Sequence, residues 1–178
     1  MISYGGKELA SGFRTVRKNT IQVAEDIPES KYGFVAAPDV RSVGRMLTHI
    51  AIGPRIFLEV HKKGLTTLVG FDFFGALDRF NAEEAKTRSK AEILELLRTE
   101  GEQFAAWMET LTPEFLAEMV TEPDGKTQKS RFERLLGTKE HEMHHRAQLM
   151  LIQRQLGIVP HLTRQFNERV AQMRAARA

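Results

Sequence analysis

Leu9, Phe13, Val16, Thr20, Val23 and Ile27 recur at alternating steps of three and four along the first part of the chain. At about 100° per residue those steps hold one stripe of a helix, which the pattern places at about 7–27. Pro28 breaks it, and the turn-forming stretch ending in Pro38-Asp39-Val40-Arg41-Ser42 feeds a second helix at about 41–63. Val43, Met46, Leu47, Ile50, Phe57 and Leu58 form its apolar side, Pro54 should kink it, and Gly64 is placed to cap its end.

Between 65 and 88 the aromatics are dense but follow neither the helical nor the strand period. That segment reads as a long connection with one short helix. Ser89 followed by Glu92 is a capping box, and Ile93, Leu96, Leu97, Phe104, Trp107, Met108 and Leu111 carry a third helix over about 90–111. Thr112-Pro113 opens a short helical turn to about 119, and Pro123-Asp124-Gly125-Lys126 is a tight turn. Ser130 with Glu133 repeats the capping box for a fourth helix that runs to Leu156 and stops at Gly157, with Pro160 beyond. Short ambiguous pieces near 66–71 and 119–122 are the only strand-like ones. The predicted architecture is all-α, a four-helix bundle with long connections.

At 178 residues, 42% of them hydrophobic and 28% charged, the chain fits one globular domain over 1–160, with a basic extension over 161–178 that should be helical. A formal charge of +3 with interspersed signs is too weak a bias to argue for nucleic acid. Arg164, Arg169, Arg174 and Arg177 gather at the end, where they read first as a solvated helix face and second as a contact for an acidic partner. No run approaches a membrane span of ~18 apolar residues, and the first eight residues lack the order of a signal peptide. With no cysteine, thiolate ligands and disulfides are impossible, and the chain is expected to be cytoplasmic.

The chemistry lies in the histidines. Helix four carries Glu140-His141-Glu142-Met143-His144-His145-Arg146-Ala147-Gln148, and the four-residue step puts His141 and His145 on one inward face. His49, about 60° from Met46, flanks the apolar stripe of helix two. Three inward imidazoles on two helices either share a metal ion or are three separately hydrogen-bonded core histidines. His144 faces the margin, and His61 and His161, which have no such company, read as surface residues. Glu142 lies about 100° around the helix from His141, away from a ligand's direction. Arg146 reads as a flank salt bridge or, with Gln148, as a group orienting a ligand or an anion.

His141 to His145 also spell H-E-x-x-H, the metallopeptidase pattern with glutamate as general base. Gln148 and Leu151 stand where a metzincin needs glycine and histidine. Glu168 could serve as the third ligand of another zincin, but no strand-rich half precedes the motif.

Three segments together resemble the DinB-like superfamily of DNA-damage-inducible and YfiT-type proteins, over roughly residues 9 to 160. They are Pro38-Asp39-Val40-Arg41-Ser42-Val43-Gly44-Arg45-Met46-Leu47-Thr48-His49-Ile50-Ala51, the H-x-x-x-H-R-x-Q helix from His141 to Gln148, and the closing Leu156-Gly157-Ile158-Val159-Pro160. Arg41 departs from the pattern, which often has an aromatic residue there. The resemblance implies a four-helix bundle, a divalent metal ion held by His49, His141 and His145, and a homodimer. Zinc is the default ion, with nickel, iron or manganese as alternatives. Three neutral imidazoles leave an open position, suited to activating water for hydrolysis or holding a substrate thiol as its thiolate. The expected functions are therefore a metal-dependent hydrolase or thiol S-transferase acting on a small molecule, and alternatively a non-catalytic binding or stress-response protein. No residue is singled out as catalytic.

Overall fold

The computed structural model describes residues 4–177; residues 1–3 and 178, at the outer ends of the two expected segments, lie outside it. Four long elements make the bundle: α1 (Gly6–Asp26), α2 (Val43–Ile52), α5 (Lys90–Glu109) and α7 (Arg131–Gln155), with α1 and α2 each packed on both α5 and α7. Between them lie α3 (Pro54–Lys62), α4 (Phe73–Glu84) and α6 (Pro113–Ala117), and the basic C-terminal stretch forms α8 (His161–Ala175).

The starts follow the sequence signals. Ser42, Ser89 and Ser130 accept hydrogen bonds from the backbone N–H groups of Arg45, Glu92 and Glu133, and Glu92 and Glu133 reach back to complete two capping boxes. Gly64 and Gly157 take positive φ of 65° and 76° just beyond α3 and α7, a conformation glycine adopts without a Cβ penalty.

Two expectations change. The helix expected at 41–63 is two helices, because Pro54 has no N–H to give and sits at the first position of α3, where none is needed. Gly53 serves both as the C-cap of α2 and as the N-cap of α3. The connection at 65–88 contains a twelve-residue helix, α4, started by Asp72, whose side chain accepts from the Gly75 N–H. Its period was obscured because Val69, Phe73 and Phe74 are exposed while Ala76, Phe80 and Glu84 face inward. The strand-like pieces meet each other: β1 (Met119–Thr121) pairs antiparallel with β2 (Gln128–Ser130) across the Asp124-Gly125 turn, and Thr67 bridges Thr121.

The apolar core is interrupted. One cluster joins Val23, Ile27, Leu47, Ile50, Leu97 and Leu149; another joins Leu9, Phe13, Phe104, Met108 and Leu135. Between them lie buried Arg17 and Glu142, a polar layer through the middle of the bundle. No helix among the described residues is long and apolar enough to cross a membrane.

Candidate metal centre

His49 comes from α2, and His141 and His145 from one face of α7. One ring nitrogen from each lies within 4.8 Å of the other two. His141 Nε2 stands 3.1 Å from His49 Nε2 and 3.2 Å from His145 Nε2. Ligand nitrogens of a tetrahedral ion with bonds of ~2.0–2.1 Å would stand about 3.3 Å apart, so the spacing fits one shared ion.

The opposite ring nitrogens explain the orientation. His49 Nδ1 lies 2.8 Å from Glu84 Oε2, and His145 Nδ1 lies 2.8 Å from Gln148 Oε1. Both acceptors favour the tautomer protonated at Nδ1, which leaves the Nε2 lone pairs of His49 and His145 aimed at His141. A proton on His141 Nε2 could satisfy only one of them, whereas a cation would satisfy all three.

Burial pushes all three imidazoles below their ordinary pKa. For His141 the neighbouring histidines add to burial and bring it to about 4. For His49 burial outweighs the hydrogen bond to Glu84, and for His145 it outweighs the one to Gln148. The rings are therefore neutral near pH 7, the form in which imidazole is a ligand.

Glu84, 1% exposed at the end of α4, was not singled out from sequence. Its signal was there in the step of four that aligns it with Ala76 and Phe80, a carboxylate in register with an inward stripe. Oε2 takes the His49 proton, while Oε1 accepts from Arg41 Nε at 2.9 Å and Arg45 Nη2 at 3.1 Å. Burial alone would raise this carboxyl, but the hydrogen bonds from Arg41 and His49 win and hold it below the usual carboxylate range. Phe80, one turn earlier, sets its ring edgewise to His49 at 5.1 Å.

The neighbouring residues of the α7 motif take other roles. Glu142 is buried, and its two oxygens receive Arg17 Nε at 3.0 and 3.1 Å and Arg17 Nη2 at 2.9 Å. Arg17 is held further by the carbonyls of Leu97 and Ile50. A general base would need a free lone pair facing the histidines, and Glu142 has spent its carboxylate on the guanidinium. Arg146 donates to the Val16 carbonyl at 3.2 Å rather than to a carboxylate. His144 is exposed, with Gln148 Nε2 3.3 Å from its Nε2.

Two histidines expected at the surface are buried. His61 is 1% exposed, its Nδ1 3.1 Å from Arg131 Nη1 and its ring stacked on Trp107; His161 is 3% exposed and reaches Asn19 Oδ1 at 3.3 Å. Neither joins the triad, and their burial was hidden because their partners come from distant elements.

Comparison with known proteins agrees with this fold. A family model for the DinB superfamily matches residues 13–149. A DinB-like protein from Bacillus subtilis, YjoA, superposes with a TM-score of 0.63 at 23% identity, covering 84% of this chain and 92% of that one. YfiT from Bacillus subtilis, described as a probable metal-dependent hydrolase with an unusual four-helix bundle topology, superposes with a TM-score of 0.68 at 17% identity, covering 89% and 91% of the two chains. A search of curated proteins finds no match. With most of its length matched by the family and its helices arranged as in these relatives, the chain belongs to the DinB superfamily.

Proposed function

We propose that the protein is a divalent-metal-dependent enzyme acting on a small molecule, with His49, His141 and His145 as the ligands. The carrying observation is the convergence of three neutral ring nitrogens, two of them with their far sides fixed by Glu84 and Gln148. An ion bound there supplies Lewis acidity at an open position. The chain's own part is to keep the imidazoles unprotonated by burial, to orient His49 through Glu84, and to orient His145 through Gln148.

Hydrolysis is the first reading, supported by the description of YfiT. Transfer of a thiol is the second, because the same open position accepts a thiolate. Zinc is the default ion for imidazole donors, ahead of nickel, iron and manganese. The enzyme works in the cytoplasm as a homodimer, for which Met143 and Leu151 on α7 and Phe166 and Met173 on α8 offer exposed apolar surface. A sedimentation mass of one chain would remove the dimer.

Metal analysis of protein purified without chelator tests the centre. We expect close to one ion per chain in wild type and little in His145→Ala. Wild type without metal, or His145→Ala with its metal intact, refutes it. A screen of the metal-loaded protein against esters, and against low-molecular-weight thiols with electrophiles, then separates hydrolysis from transfer.

A further inference from the structure

Two guanidinium groups share one carboxylate beside the triad. Arg41 binds Glu84 through Nε only, and Arg45 through Nη2 only. Among the described residues, Glu84 is the one carboxylate within ion-pairing distance of either arginine. Glu84 also accepts from His49, so its single negative charge is divided three ways. Among the described residues the remaining guanidinium N–H groups of Arg41 and Arg45 have no protein acceptor, and the two side chains are 35% and 56% exposed.

A structural role for Glu84 needs only one cation or none, because His49 already donates to it. A second arginine with most of its donors unspent is surplus to that role. A guanidinium offers paired donors on one plane, matched to the two oxygens of a carboxylate or phosphate. Arg45 and Glu84 also line a cleft of about 300 Å³ together with Ser42, Thr48, Lys86 and Arg88, whereas Arg41 and the three histidines lie outside its wall. That volume is at the lower end of small-molecule sites.

We propose that Arg41 and Arg45 recognise an oxyanion on the substrate, a carboxylate or phosphate, and so restrict this enzyme to small acidic substrates. This inference rests on the metal-centre reading above. Arg41 and Arg45 are specificity-determining residues: they bind the anion and leave the ion's ligands to the histidines.

Isothermal titration of the zinc-loaded protein with succinate, inorganic phosphate and neutral succinamide tests it, with metal content measured on the same samples. Wild type should bind at least one of the two anions and not the amide. Arg41→Ala and Arg45→Ala should each weaken anion binding by about tenfold or more, the loss expected for charged hydrogen bonds, while zinc content stays at the wild-type level. The exposure of Arg45 makes its variant safe to fold. Arg41→Lys should recover part of the affinity. Equal anion binding in wild type and both alanine variants, succinamide binding as tight as succinate, or variants that lose zinc while keeping the anion would each overturn the proposal. Zinc retained with arginine-independent binding fails this inference alone; wild type that takes up no zinc fails the reading beneath it.

Discussion

Arg17 and Glu142 form a buried ion pair across the middle of the bundle, with side chains 5% and 3% exposed and Arg17 Nη2 2.9 Å from Glu142 Oε2. Glu142 follows His141 directly, so the pair pins the turn of α7 that presents the histidines. Its effect is to fix the rotation of α7 against α1. Removing one partner of such a pair leaves an uncompensated charge in the core, a loss of about 3–5 kcal/mol. Glu142→Gln should therefore lower the unfolding free energy by an amount in that range, read as a fall in the urea midpoint, since the amide keeps the shape but not the charge. An unchanged midpoint would mean that Arg17 finds other acceptors.

Gly101 on α5 is the place where that guanidinium passes. A Cβ there would come within 2.8 Å of Arg17 Cγ. Alanine is the better helix former by about 1 kcal/mol, but overpacking costs about 1–3 kcal/mol. Arg17 cannot swing aside, because Glu142 and the carbonyls of Leu97 and Ile50 hold its head. Gly101→Ala should be destabilising by about 1 kcal/mol net in equilibrium unfolding. A stabilised variant would show that the stem of Arg17 is free to move.

Glu84 should matter to metal affinity more than to folding. Partners of ligating histidines typically carry ~10–100-fold in affinity. Glu84→Ala should weaken zinc binding by about that factor in a chelator competition. Glu84→Gln, which still accepts from His49 Nδ1, should lose less. Equal affinity in wild type and Glu84→Ala would show that His49 needs no external orientation.

The parts legible in the sequence were those fixed locally. Serine caps, the glycines after α3 and α7, and the four-residue step from His141 to His145 depend on neighbours within a turn or two. Pairing His49 with them needed only the inward face of each helix. Glu84, Arg17 and His61 depend instead on partners 35, 125 and 70 residues away, and no local period announces such a meeting. The aromatic run at the start of α4 misled for a different reason, since Phe73 and Phe74 spend their apolar surface on solvent. The glutamate of H-E-x-x-H looked catalytic by spelling, yet the helical period already turned it from the ligands, and Arg17 accounts for its burial.

Acid should destabilise the metal-free protein well before carboxylates titrate. Burial holds His141 at about 4, and for His61 burial together with the charges of Arg131 and Arg134 does the same, against an ordinary value near 6.5. The unfolded chain therefore takes up these protons near pH 6.5, while the folded chain refuses them until about pH 4. Because the unfolded state binds more protons in that window, stability is full above about pH 6.5 and falls as pH drops toward 4. His61→Gln, which can still accept from Arg131, should flatten part of this slope without changing metal content. Zinc at a hundredfold excess over its dissociation constant should add ~2.7 kcal/mol at neutral pH, and protons competing for the triad should erase that gain on acidification. Urea unfolding at half-unit steps from pH 7.5 to 4.5, with and without zinc, measures both effects. A midpoint independent of pH in the metal-free protein would mean that the histidines protonate without opening the fold. A zinc increment that persists to pH 4.5 would place the ion on ligands other than these three.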